Sequence, residues 1–90
     1  MSQPPAQTVV TLYTKPGCHL CEPVARTIAA AAKVRSFTFA KCNILDDAAE
    51  RARYQHAIPV VTVNGREIAR YRLSLQELLA AIDATAAPAD

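Results

Sequence analysis

Residues 8–14 have the sequence TVVTLYT, a run of β-branched and aromatic residues with the length of a strand. Apolar side chains occupy both odd and even positions, which is typical of a central strand covered on both faces. Lys15, Pro16 and Gly17 end this run, and a segment rich in helix-forming residues follows over residues 18–33. The strand therefore predicts a layered α/β domain, in which helices lie on both sides of a sheet.

The chain has 90 residues, which is the size of one domain, and 51% of them are hydrophobic, as in globular proteins. Residues 1–7 and 84–90 are small, polar or proline-containing and lack periodicity. We therefore expect a single domain over residues 8–83, flanked by two flexible tails.

The remaining segments alternate between strand and helix signals. Capping-box spacing at residues 47–50 and 74–77 predicts two helix starts, and Asn64-Gly65 predicts a hairpin. The predicted strands are residues 8–14, 36–44, 58–63 and 66–72, and the predicted helices are residues 18–33, 47–55 and 74–83. The order β-α-β-α-β-β-α begins with a crossover long enough for parallel strands and continues with an antiparallel hairpin. It predicts a mixed four-stranded sheet with helices on both faces.

Charge and hydropathy exclude several classes of partner. Ten basic and eight acidic residues give a net charge of +2, which is too weak to attract nucleic acid or an anionic membrane. The longest apolar runs, residues 28–32 and 78–82, are far too short to span a membrane. The first residues have no basic start followed by an apolar stretch, so we expect no secretory signal. We therefore expect a cytoplasmic, soluble monomer with neither nucleic acid nor membrane as partner.

The three cysteines are too few for a secreted disulfide scaffold. Cys18 and Cys21 have C-x-x-C spacing, which in a reducing compartment indicates a redox-active or metal-binding pair. A metal site within one chain needs about four ligands, and only Cys42, His19 and His56 remain to complete it. We therefore favour redox chemistry, and expect Cys42 to be a buried apolar residue of the second strand.

The position of the pair predicts a role for each thiol. Cys18 stands at the start of the predicted first helix, where unpaired N–H groups and the helix dipole stabilise a thiolate. Lys15 adds positive charge, and so does His19 when it is protonated, unless its side chain points to solvent. We therefore expect Cys18 to attack a disulfide and Cys21, one turn later, to resolve the mixed disulfide. Tyr13 is expected to pack beside the turn with its hydroxyl at the rim.

Residues 12–21, LYTKPGCHLC, together with Ile58-Pro59 and the Asn64-Gly65 hairpin, resemble the glutaredoxin-like branch of the thioredoxin superfamily. The chain is most similar to short glutaredoxin-like proteins with a P-G-C-H-L-C active site. The resemblance covers the whole predicted domain and implies a thioredoxin-like three-layer fold. It also implies that Pro59 is a cis-proline beside the cysteine pair, and that the backbone of Ile58 pairs with an extended substrate.

One departure from glutaredoxins concerns glutathione. Glutaredoxins hold this tripeptide with a Gly-Gly pair and an acidic residue just after the hairpin. Here Ala69 and Arg70 replace the glycines, and Arg72 and Ser74 stand where the acidic residue is expected. Because side chains now occupy space that bare backbone leaves open, we expect glutathione to be a poor ligand. An arginine can also pair with a carboxylate, so glutathione stays open as a co-substrate.

The sequence thus predicts a glutaredoxin-like thiol–disulfide oxidoreductase without a prosthetic group or a metal site. The expected partners are a disulfide-bearing protein or a low-molecular-weight thiol. Two alternatives stay open. One is a thioredoxin-fold module that docks a partner or senses oxidation without turnover. The other is a carrier that bridges a metal or iron–sulfur centre between two chains through Cys18.

Overall fold

The computed structural model describes residues 8–86, and the predicted order of strands and helices is confirmed. The elements are β1 (Val9–Thr14), α1 (Cys21–Ala32), β2 (Thr38–Asn43), α2 (Ala48–Tyr54), β3 (Val60–Val63), β4 (Arg66–Arg70) and α3 (Leu75–Ala86), with a 3-10 turn at Ile44–Asp46. Of the two predicted tails, residues 1–7 and 84–90, the positions 1–7 and 87–90 lie outside the described residues. The prediction of a tail was wrong for residues 84–86, which continue α3 because alanine is the best helix former.

The four strands form one sheet in the order β2-β1-β3-β4. Strand β1 runs parallel to β2 and antiparallel to β3, and β3 runs antiparallel to β4. Strands β1 and β3 are therefore central, and every residue of β3 is buried. Asn64 and Gly65 form the predicted hairpin turn, with the two positive φ angles (52° and 85°) that a type I′ turn requires.

Helices cover both faces of the sheet, as predicted. Successive strand residues point to opposite faces of the sheet. The neighbouring β3 residues Val60 and Val61 therefore show which helices pack on each face. Val61 packs into a main core cluster with residues of α1 and α3, whereas Val60 packs with Tyr54 of α2 in a second cluster. Because α2 has only seven residues, the α2-side positions of β1 are half-buried rather than fully covered.

Helix α1 begins at Cys21, so the predicted start at Cys18 was wrong by three residues. A helix from Cys18 would place Pro23 in the second turn. At that position proline would have no N–H to donate to the His19 carbonyl, and its ring would clash with that carbonyl. A start at Cys21 puts Pro23 in the first turn, where the backbone N–H has no helical partner in any case.

Helices α1 and α3 lie side by side, and an ion pair links the loop that follows α1 to α3. Arg35 donates from Nε and Nη2 to the two carboxylate oxygens of Asp83, at 2.7 and 3.0 Å. This hydrogen bonding lowers the pKa of Asp83. None of the helices within residues 8–86 has the length and apolar character needed to cross a membrane.

Candidate functional site

The cysteine pair lies on two consecutive turns between β1 and α1. The Cys18 N–H donates to the Lys15 carbonyl and the Cys21 N–H donates to the Cys18 carbonyl, each at 3.3 Å. Pro16 and Gly17, with φ of 82° at Gly17, occupy the centre of the first turn, as in a type II turn. The turns therefore place Cys18 outside the helix and Cys21 at its first residue.

Cys18 and Cys21 form a disulfide with their Cα atoms 5.4 Å apart, which is within the usual range. The two residues differ in access: Cys21 is 7% exposed, whereas Cys18 is half-buried. Thiol–disulfide exchange requires an incoming sulfur to reach the one it attacks. The geometry therefore leaves Cys18 as the more accessible of the two sulfurs and Cys21 as the buried one.

Thr14 contacts the pair directly, and sequence reasoning missed it. Its hydroxyl donates a hydrogen bond to the Cys21 Sγ with an O–S distance of 2.9 Å, and both residues are 7% exposed. Val10, Leu12 and Thr14 share one buried face of β1. A polar side chain that ends such an apolar face, next to the cysteine turn, is the signal that would have found it.

Lys15 and the two cysteines line the same cavity, of about 250 Å³. Lys41 of β2 lines it as well and gives it a second cationic side chain. His19 is exposed. A partner that enters this cavity therefore meets the disulfide and two ammonium groups together.

Tyr13 lies on the opposite face of β1 from Thr14. Its ring packs against Tyr54 of α2, with the ring centroids 4.7 Å apart. Burial raises the pKa of Tyr13, and the charge of Glu50 raises it further. Tyr13 is therefore a packing residue of the α2 side, and the structure does not bring it to the cysteine pair.

Cys42 is a free thiol on the same α2 face, where it pairs with Tyr13 across the β1–β2 ladder. It is half-buried, where the sequence predicts a buried residue. Burial and the charge of Glu50 raise the pKa of this thiol. Within residues 8–86, no three histidine, cysteine or acidic side chains form a cluster that could hold a metal ion.

The Ile58–Pro59 peptide bond is cis, as the resemblance implies. Pro59 is fully buried. Tyr13 pairs with Val60 in the antiparallel β1–β3 register, so the next step along that ladder sets Pro59 opposite Thr14. The cis-proline therefore lies beside the residue that contacts the cysteine pair. Ile58 is half-buried and packs against the second cluster.

Tyr71, which sequence reasoning also missed, holds the cis-proline loop in place. Its φ is 69°, a conformation rare for an aromatic residue, and the Arg72 N–H donates across it to the Arg70 carbonyl at 2.7 Å, closing a γ-turn. The Tyr71 N–H donates to the Pro59 carbonyl and its hydroxyl donates to the His56 carbonyl, both at 2.8 Å. This turn ends β4 two residues earlier than predicted.

Ala69 and Arg70 line a different cavity, of about 640 Å³, which shares no lining residue with the one beside the disulfide. Ala69 is half-buried against the main core. Arg70 forms a two-bond ion pair with Glu67 of the same strand, and this contact lowers the pKa of Glu67. Arg70 is thus held by a carboxylate of its own chain.

Gly17 and Gly65 offer matched tests of the turn before Cys18. Both have left-handed φ angles, 82° and 85°, and an added Cβ would meet nothing within 4 Å. Alanine at either position therefore costs only the backbone conformation, about 1–2 kcal/mol of unfolding free energy. We expect similar losses in urea denaturation, with only Gly17→Ala changing the rate at which dithiothreitol reduces the disulfide. Equal rate changes in both variants would contradict a local role for this turn.

Similar proteins place this geometry in a family. A family model described as a glutaredoxin-like domain (DUF836) matches residues 9–83. The structural genomics target protein XcR50 from X. campestris is 35% identical, covering 88% of this chain and 99% of that chain, with a TM-score of 0.68. Protein Ne2328 from Nitrosomonas europaea is 23% identical, covering 91% and 99% of the two chains, with a TM-score of 0.76.

A more distant structure, thioredoxin-2 of the malaria parasite, is 15% identical, covers 87% of this chain and 82% of its own, and has a TM-score of 0.67. At that identity it supports the thioredoxin-like fold alone, and the fold that the resemblance implies is confirmed. No curated protein matches the chain. Because the family model spans most of the sequence, the chain belongs to the glutaredoxin-like domain family.

Proposed function

We propose that this protein is a thiol–disulfide oxidoreductase that works through Cys18 and Cys21. The observation that carries the proposal is their disulfide, which joins a half-exposed sulfur to a buried one at the β1–α1 junction of a glutaredoxin-like domain. A bridge between residues only three apart constrains the unfolded chain less than a long-range bridge does. Reversible chemistry therefore explains this bridge better than a stabilising role.

The proposed reaction passes two electrons from the dithiol to a substrate. The Cys18 thiolate attacks one sulfur of the substrate disulfide, whose S–S bond breaks, and the other substrate sulfur leaves as a thiolate and takes up a proton. The Cys21 thiolate then attacks the Cys18 Sγ of the mixed disulfide. This second step releases the remaining substrate thiol and forms the Cys18–Cys21 disulfide. A thiol donor, either glutathione or a protein reductase, restores the dithiol.

We assign the substrate groove to the cis-proline loop. Ile58 lies just before β3 begins and outside the β1–β3 ladder, and Tyr71 brackets this loop with two hydrogen bonds. An extended segment of a partner can add to such a backbone as a further strand. The proposed partner is a disulfide-bearing protein, and we expect the monomer to act in the cytoplasm, where thiols are kept reduced.

A redox titration with glutathione buffers, followed by intact mass and peptide mapping, tests the proposal. We expect loss of two hydrogens on oxidation, mapped to the peptide that contains Cys18 and Cys21, without global unfolding. We also expect the protein to reduce a protein disulfide over multiple turnovers when a thiol donor is supplied. A disulfide that involves Cys42 contradicts the assignment, and oxidation without turnover favours the docking or sensing module. Colour and bound metal in the purified protein favour the metal carrier.

A further inference from the structure

We infer that Thr14 is a catalytic residue of the resolving step, whose hydroxyl holds the Cys21 sulfur as a thiolate directed at Cys18. The inference rests on the proposed function and adds a residue to it. The Thr14 hydroxyl contacts a reacting atom, since its oxygen lies 2.9 Å from the Cys21 Sγ. The site therefore contains three functional side chains rather than two.

Because both partners are buried, this hydrogen bond matters more for the stability of a thiolate on Cys21 than it would in water. Thr14 and Cys21 are each 7% exposed, so water has little access to a thiolate on Cys21. An anion without water must receive its hydrogen bonds from the protein, and a hydroxyl offers one donor. The Lys15 carbonyl is the other acceptor near the Thr14 hydroxyl, but it lies at 3.4 Å and is the weaker partner. The Thr14 hydroxyl therefore donates its hydrogen bond mainly to the Cys21 sulfur.

The start of α1 adds fewer donors than most helix ends. Pro23 lies in the first turn and has no N–H to donate. The Cys21 N–H is used by the Cys18 carbonyl, and Glu22 puts a negative charge into the same turn. With these groups around Cys21, the Thr14 hydroxyl is the donor that the buried sulfur meets.

In the resolving step the Cys21 thiolate attacks the Cys18 Sγ of the mixed disulfide. The bond between Cys18 and the substrate sulfur breaks, its electron pair leaves on the substrate sulfur, and solvent supplies the proton. Thr14 keeps its own proton throughout. Its part is to keep Cys21 deprotonated at neutral pH and to fix the sulfur on the Cys18 side.

The size of the effect follows from two opposing consequences of removing the hydroxyl. Losing one hydrogen bond to a charged group raises the Cys21 pKa by about one to two pH units. Each unit lowers the thiolate fraction tenfold below the pKa but raises the nucleophilicity about threefold, because the Brønsted slope is about 0.4–0.5. The resolving step should therefore slow about three- to tenfold at neutral pH.

The test uses the release of thionitrobenzoate after Ellman's reagent reacts with the reduced protein, in a Cys42→Ser background. The first equivalent reports attack by Cys18, and the second reports resolution by Cys21. Thr14→Val removes the hydroxyl and keeps the shape, while Thr14→Ser keeps the hydroxyl. Thr62→Val is the matched control, because Thr62 is 2% exposed and its hydroxyl has no hydrogen-bond partner among the described residues.

We expect Thr14→Val to slow the second release about three- to tenfold and to move its pH midpoint upward, with the first release unchanged. Thr14→Ser and Thr62→Val should behave like the Cys42→Ser parent protein. An unchanged midpoint in Thr14→Val, even with a slower rate, overturns the role of Thr14. Failure of the Cys42→Ser parent protein, with Thr14 intact, to release a second equivalent overturns the proposed function instead. If Thr14→Val does not fold in urea titrations, Thr14→Ala takes its place under the same criteria.

Discussion

Replacing Cys18 by serine is expected to reduce disulfide reductase activity to the uncatalysed background. The thiolate is the nucleophile of disulfide exchange, and a serine hydroxyl supplies no comparable anion at neutral pH. Cys18 is the half-exposed member of the pair, whereas Cys21 is only 7% exposed, so we expect no other sulfur of the site to take its place. Turnover of a protein disulfide with a thiol donor measures this loss.

Cys21→Ser is expected to fail later in the same reaction. Cys18 still attacks the substrate, but the buried sulfur that resolves the mixed disulfide is missing. The covalent complex should therefore accumulate, and intact mass should show the protein plus one substrate chain. A mixed disulfide on Cys21 in the Cys18→Ser variant, with none on Cys18 in the Cys21→Ser variant, would reverse the two roles.

Cys42→Ser is the matched control, because it removes a thiol from the opposite side of the sheet. Burial and the charge of Glu50 raise the pKa of Cys42, so this thiol stays neutral at pH values where Cys18 is expected to ionise. Activity should be unchanged. Iodoacetamide should label Cys18 first, near or below neutral pH, and Cys42 only as the pH rises towards its raised pKa. Loss of activity in Cys42→Ser would show that Cys42 takes part in the reaction and would contradict the assignment to Cys18 and Cys21.

The parts of this fold that the sequence predicts correctly depend on local physics. The Asn64-Gly65 hairpin needs only two residues that tolerate positive φ. The capping box before α3 is confirmed by reciprocal bonds: the Glu77 N–H donates to Ser74 Oγ, and the Ser74 N–H donates to the Glu77 carboxylate, both at 3.0 Å. Such signals act within a few residues of each other, so a single sequence contains them.

The features that the sequence did not predict depend on residues brought together by folding. Tyr71 adopts a conformation that its own side chain disfavours, and its partners are carbonyls 12 and 15 residues earlier in the chain. Thr14 reaches Cys21 only because the turn at Gly17 folds the chain back on itself. Both features depend on contacts that form only when the chain folds, so the local sequence pattern alone does not predict them.

Restoring glutaredoxin-like residues after the hairpin is expected to raise turnover of a glutathione mixed disulfide about ten- to a hundredfold. The variant is Ala69→Gly/Arg70→Gly/Ser74→Asp. Two glycines let the tripeptide backbone approach without a Cβ in the way. The new carboxylate gives the ligand's amino group a charge-assisted contact of about 1.5–3 kcal/mol. At 1.4 kcal/mol per tenfold in affinity, that contact alone accounts for the expected range.

The opposing effect is capture of a glutathione carboxylate by Arg70 in the natural protein. The structure weakens that alternative, because Arg70 already forms a two-bond ion pair with Glu67. To bind the ligand, Arg70 would have to exchange one carboxylate for another, and such an exchange at an exposed site gains little. The cavity that Arg70 lines is also separate from the one beside the disulfide. Removing Arg70 should therefore lower the affinity for glutathione by less than the two glycines and the new carboxylate raise it.

Two features of the design separate glutathione recognition from stability. Aspartate caps a helix about as well as serine, so Ser74→Asp should preserve the start of α3. Each glycine in β4 costs about 0.5–1 kcal/mol, and Arg66→Gly, at the far end of the same strand, measures that cost without opening the ligand position. Arg66→Gly should therefore lose stability in urea and gain no turnover. If the natural protein turns over the glutathione mixed disulfide efficiently and the triple variant loses that activity, Arg70 is a glutathione-binding residue and the expectation of a poor ligand is wrong.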